Sequence, residues 1–169
     1  LADPANPVAL PIIHVDEQYY LLVGERMLDG AIPYLDIWDR KPVGLFLLYA
    51  LFASVPGDPI WSYQIAATLF AAATGWIVSR IARDAGAGPL AALVGGVAYI
   101  LWLSLLGGRG GQSPVFYNLP VAAAACLTLR LPRRGTARAV IGSGIAACLL
   151  AGVAIQMKYS AALEGAFFG

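Results

Sequence analysis

Residues 14 to 44 read HVDEQYYLLVGERMLDGAIPYLDIWDRKPVG and hold six of the ten Asp and Glu residues in a chain of 169. Asp16 and Glu17 are adjacent carboxylates, Asp36 and Asp39 enclose the DIWD segment, and Arg40 and Lys41 follow at once. A carboxylate can orient a hydroxyl and take its proton, a general-base contribution of roughly 10²- to 10⁴-fold. Arg and Lys supply fixed positive charge for a departing phosphate. Together they suit transfer of a sugar from a lipid phosphate to a hydroxyl, with Asp16 or Glu17 as base and Arg40 and Lys41 as the anion site. DIWD is not the metal-binding DxD of nucleotide-sugar chemistry, so these residues indicate no metal site.

Each residue also has a plainer use. Asp16 reads as a helix N-cap, worth about 1 kcal/mol. Arg40 and Lys41 read as anchors beside lipid headgroups, and Trp38 as an interfacial aromatic. Their joint placement on one loop, next to a very apolar chain, is what points to a polar pocket at the lipid boundary.

The elements that must position these residues are set by composition. Hydrophobic residues make up 59% of the chain and charged residues 12%, about half the 25% usual in soluble domains. Mean hydropathy is +0.71. A polytopic membrane protein accommodates so much apolar surface because lipid replaces water. The expected fold is all-α: a transmembrane helix bundle with an outer first loop containing amphipathic or interfacial helices. Spans are expected at about 61–80, 88–107, 113–131 and 138–157. The run at about 43–55 is too short to span and reads as an interfacial helix. The first loop then occupies 1–56 and the bundle 61–169.

Arg80 and Arg83 lie between two spans, and Arg130, Arg133, Arg134 and Arg138 crowd another connection. The excess of positive charge on inner loops places both on the cytoplasmic side. The acidic stretch and the glycine-rich GGRGGQ turn at 107–112 are then both outside. GGRGGQ lacks the GK[ST] of a phosphate loop and reads as a flexible outer turn.

Locally, Asp16 is expected to cap a helix at about 16–29, with Tyr20, Val23, Met27 and Leu28 as its apolar face. Gly30 ends it, and Pro42 fixes the start of the next. His14 is the only histidine. Cys126 and Cys148 sit in apolar segments without metal-ligand spacing. No nucleic-acid partner is expected. The chain starts without Met and stops inside an apolar run, which reads as a piece of a longer polytopic protein.

The stretch from His14 to Tyr49 resembles the first outer loop of the GT-C superfamily of polytopic glycosyltransferases. It is similar to the bacterial branch containing protein O-mannosyltransferases and aminoarabinose transferases. The matching residues are the pair Asp16 and Glu17, the turn Gly30, Pro33, Tyr34, and Lys41 with Pro42. The resemblance implies an inverting transferase using a polyprenyl-phosphate sugar and a hydroxyl acceptor. It would lie in the bacterial inner membrane, multi-pass, with its site facing the periplasm. Asp16 would be the catalytic carboxylate, with Glu17 beside it, and Lys41 the residue on the lipid phosphate. Tyr34, Asp39 and Arg40 would be substrate-binding, as would Lys158, in the stretch 155–169 that resembles the outer end of a later family helix. No metal ligand is assigned, and a divalent metal stays open because the superfamily contains both kinds.

Two departures stand out. Many relatives have K-P-P where this chain has Lys41-Pro42-Val43. The helix expected before the acidic pair is missing, with LADPANPVALPII as its remnant, so the isolated 169-residue chain is expected to lack activity. The competing readings are a transporter or flippase-like protein for lipid-linked sugars, and a non-catalytic membrane scaffold. The enzyme reading requires Asp16 and Lys41 to face one shared cavity.

Overall fold

The computed structural model describes residues 14–133 and 135–168. Residues 1–13 of the expected first loop, and Arg134, lie outside them. Among the described residues there are seven α-helices and no strand. They are α1 (Val15–Leu28), α2 (Val43–Ala53), α3 (Pro59–Asp84), α4 (Pro89–Leu105), α5 (Ser113–Leu129), α6 (Ala137–Ile155) and α7 (Ala161–Phe168). The all-α expectation holds.

Helix starts follow local chemistry. Prolines stand in the first turns of α3, α4 and α5, where a missing N–H costs nothing. Asp58 Oδ1 accepts from Ile60 N at 2.8 Å at the start of α3, and Thr136 Oγ1 from Ala139 N at 3.3 Å at the start of α6. Gly30, at φ +97°, ends α1 in the conformation glycine adopts most readily. Beyond α6 the chain turns at 156–160 and starts a further helix, α7.

Length separates the helices. The 26-residue α3 and 19-residue α6 are long and apolar enough to cross a membrane. The 17 residues of α4 and of α5 cover about 25 Å each at 1.5 Å per residue. The 11 residues of α2 cover only about 16 Å by the same rise, roughly half a 30 Å hydrocarbon layer.

Many of the buried residues along α3 to α6 are small, among them Ala67, Gly75, Ala92, Gly96, Ala124 and Ala147. The large apolar ones point outward: Leu69, Trp76, Leu101, Trp102, Ile141 and Leu149 are each more than half exposed. Close backbone approach explains the small residues. A β-carbon on Gly96 would stand 2.5 Å from the Gly75 carbonyl oxygen, so only glycine allows α3 and α4 to cross there.

Bulky side chains gather at one end instead. Tyr20, Leu45, Phe46, Tyr49, Phe52, Tyr63 and Phe116 form a buried cluster where α1 and α2 meet α3 and α5. The 107–112 turn reaches the same end, because Tyr49 Oη donates to the Gly111 carbonyl at 2.6 Å. So does the end of α6, whose Gln156 carbonyl accepts from Leu45 N at 3.1 Å. At the other end Arg130 Nε donates to Asp84 Oδ2 at 2.6 Å, and an Arg133 amino nitrogen donates to the Asp84 carbonyl at 2.6 Å. The acidic stretch and the Arg-rich connections therefore sit at opposite ends of the helices.

Candidate functional site

The site begins at the first turn of α1. His14, not Asp16, is the N-cap, and no side chain caps the helix. The His14 carbonyl accepts from Glu17 N at 3.0 Å and Gln18 N at 3.2 Å. Asp16 is thus a second-position residue, which corrects its expected capping role. Both acids still lie in the first turn, where the positive end of the helix dipole favours carboxylates.

Consecutive helical residues point about 100° apart at 3.6 residues per turn, and that splits the pair. Asp16 is exposed, whereas Glu17 is 1% exposed. The buried face of α1 is Glu17, Tyr20, Leu21 and Gly24, with Val23 beside it. Gly24 lets α1 cross α2, since a β-carbon there would stand 2.6 Å from Ala50 N. The expected face is corrected in one respect: Leu28, past that crossing, is 55% exposed.

Glu17 points under the glycine-rich turn. Neither carboxyl oxygen has a hydrogen-bond partner of good geometry. A β-carbon on Gly110 would lie 2.8 Å from each of them. Burial holds the Glu17 pKa above the ordinary carboxylate value, partly offset by the Gly111 N–H, the Tyr63 hydroxyl and Gln112, which approach it. Gly111 is equally tight, because its β-carbon would overlap the Tyr49 hydroxyl. The turn read as flexible is therefore packed onto Glu17, Tyr49 and Tyr63. Tyr49 stands 5.5 Å from Tyr20 and 5.4 Å from Tyr63 between ring centroids.

Tyr20 is the point on which the other charges converge. Lys41 Nζ lies 5.6 Å from its ring centroid, within reach of a cation–π attraction. Burial first, then the nearby Asp16 and Asp39 carboxylates, raise the Tyr20 pKa, while Arg40 opposes them. Lys41 thus stands over the ring, and Asp16, Asp39 and Arg40 lie within electrostatic reach of its hydroxyl.

The loop before α2 holds Lys41 in place. Asp39 Oδ1 accepts from Lys41 N at 2.9 Å, and Tyr34 Oη donates to the Lys41 carbonyl at 2.6 Å. Tyr34 itself has φ +71°, a conformation uncommon outside glycine. Its N–H donates to the Ile37 carbonyl at 2.8 Å. Asp36 Oδ2 accepts from Ile32 N at 2.8 Å, and Tyr19 Oη donates to the Trp38 carbonyl at 3.1 Å. Tyr34 and Asp39 therefore act on the Lys41 backbone, and Arg40 is exposed.

Lys158 stands apart, its Nζ 5.7 Å from the Tyr117 ring centroid, on the connection whose Gln156 packs against α2. Among the described residues no three His, Cys, Asp or Glu side chains could hold one metal ion. Sequence reasoning missed Tyr20, Tyr49 and Tyr63 as the centre of the cluster; the double glycines at 107–108 and 110–111 were the available signal. Asp16 and Lys41 share a tyrosine but line neither of two clefts between the bundle helices. Chemically, the arrangement offers an exposed carboxylate and the Lys41 ammonium over the Tyr20 ring, with the Lys41 backbone hydrogen-bonded to Tyr34 and Asp39, at the end of the helices away from the Arg-rich connections.

No family model, no curated protein and no solved structure matches the chain.

Proposed function

We propose that the chain is part of a multi-pass membrane glycosyltransferase that moves a sugar from a polyprenyl phosphate to an acceptor hydroxyl at the outer membrane face. The observation that carries this reading is the convergence of Asp16 and Lys41 on Tyr20. Membrane placement is supported by the outward-facing large apolar residues of α3, α4 and α6 over small buried ones. The position of α1 and α2 at the end opposite the Arg-rich connections supports an outer site.

In this reaction the acceptor oxygen attacks the anomeric carbon from the face opposite the phosphate. The bond from that carbon to the phosphate oxygen breaks, and the lipid phosphate leaves with the electron pair. Asp16 takes the hydroxyl proton, and the anomeric configuration inverts. Lys41, with Arg40 beside it, stabilises charge growing on the phosphate. The charged residues of α3 to α6 cluster near helix ends, which gives a transporter reading no charged path through the spans.

The test compares wild type with Asp16→Asn and Lys41→Met in membranes holding the full-length protein at matched abundance. Transfer from polyprenyl-phosphate sugars to a hydroxyl acceptor is the readout. Loss of roughly 10²-fold or more in Asp16→Asn is expected for a general base. Unchanged transfer in that variant sinks the assignment.

A further inference from the structure

A second feature lies away from the Tyr20 face. α3, α4 and α5 part around a cleft of about 530 Å³, within the range of ligand-binding pockets. Its walls are apolar: Ala67 and Ala71 from α3, Ile100 and Leu103 from α4, Val115 from α5. Polar groups also line it, among them Ser104 and Arg109 where α4 runs into the 107–112 turn.

Arg109 is held there by its own Nε, which donates to the Ser104 carbonyl at 2.9 Å. The ion pairs among the described residues both belong to Asp84, so Arg109 brings an unneutralised positive charge to the cleft. Exposed Leu69 and Leu101 stand on α3 and α4, two of the three helices that wall it. An apolar slot in an apolar surface, with one fixed guanidinium at the outer turn, is complementary to an alkyl chain carrying an anionic head. A zwitterionic head brings its own cation to the same place and gains less.

We propose that this cleft is a binding site for an anionic membrane phospholipid, one acyl chain lying between α3, α4 and α5 and the phosphate resting on Arg109. The inference rests on the membrane placement of these helices and not on sugar transfer. Asp16 and Lys41 are no part of it. The neighbourhood of Gly110, which lines the cleft while packing against Glu17, puts the lipid head beside the turn that covers the Glu17 carboxyl.

Native mass spectrometry tests it on the full chain in mild detergent, titrated with phosphatidylglycerol or phosphatidylcholine of identical chains. One phosphatidylglycerol should be retained about fivefold better than phosphatidylcholine, the scale of one cation at a lipid surface. Arg109→Gln should equalise the two, and Arg109→Lys should restore much of the preference. Ala72→Trp, which fills the cleft from its exposed rim, should lower retention of both. Equal retention of both lipids by the wild type, or a preference that survives Arg109→Gln, overturns the proposal. Recovery of the chain in the aqueous fraction after a carbonate wash overturns the membrane placement and this site with it. Absent sugar transfer in a chain that retains phosphatidylglycerol leaves this site standing and removes only the reaction.

Discussion

Glu17 and Gly110 are packed so closely that any β-carbon on Gly110 would stand 2.8 Å from both Glu17 carboxyl oxygens. Gly110 is at φ +54°, so the backbone itself selects glycine there. The acid comes from the first turn of α1 and the glycine from the turn between α4 and α5, with α2, α3 and α4 between them in sequence. Their contact makes the 107–112 turn a cover over a buried carboxyl.

That burial sets a pH dependence. Glu17 has a pKa raised above 4.5, chiefly by desolvation, so the folded chain favours the neutral acid relative to the unfolded chain. The stability this group contributes is complete below pH 4.5 and is lost as pH rises through the raised value. The apparent Tm in detergent is therefore expected to fall as pH climbs from there toward neutrality. Glu17→Gln, which stays neutral, should flatten the decline and melt higher than wild type at neutral pH. Parallel declines in the two proteins would remove Glu17 as the source.

The glycines of the turn separate by what surrounds them. Gly111→Ala forces a methyl into the Tyr49 hydroxyl and the Tyr63 ring and should cost about 1–3 kcal/mol, as overpacking does. Gly142, inside α6, has nothing within 4 Å of its β-position. There Ala should be neutral or stabilising by up to about 1 kcal/mol, since glycine weakens helix interiors. Thermal melts of both variants against wild type decide it, and a Gly111→Ala protein as stable as wild type shows that the turn is loose.

The helices were legible because their signals are local. Proline starts, Gly30 and the length of each apolar run lie within a few residues of the boundaries they set. The short α2 was legible for the same reason, since 11 apolar residues cannot span. The loop around Lys41 was partly legible: the residue types were right, but the work of Asp39 and Tyr34 on the Lys41 backbone depends on how the turn closes. The division of Asp16 from Glu17 follows from helical geometry, yet which of them goes inside depends on where α2 packs. Long-range packing also decides that GGRGGQ covers Glu17, and nothing in that hexapeptide names a tyrosine partner 62 residues away.

Sidedness has its own test. The acidic loop and the α5–α6 connection sit at opposite ends of the helices, so under the proposed membrane placement single cysteines there should meet an impermeant maleimide from opposite sides. With Cys126 and Cys148 changed to Ser, Asp36→Cys should label in intact cells. Gly135→Cys should label only after the membrane is opened. Both positions are exposed, so burial does not explain a failure to react. Labelling of both from outside contradicts a membrane-crossing bundle with the Arg-rich connections inside.

The last prediction concerns how Tyr34 serves the proposed reaction. Its hydroxyl touches only the Lys41 carbonyl at 2.6 Å among the described hydrogen bonds, so it acts on substrate through the placement of Lys41. Tyr34→Phe removes a bond worth about 1 kcal/mol net and should lower kcat/KM for the lipid-phosphate donor about fivefold by the same measure. Most of the loss should appear in KM if Lys41 holds the phosphate before the chemical step. In a Lys41→Ala background the same substitution should cost almost nothing more, because the group it positions is gone. Losses that simply add would place Tyr34 on the substrate directly and remove its role as the support of Lys41.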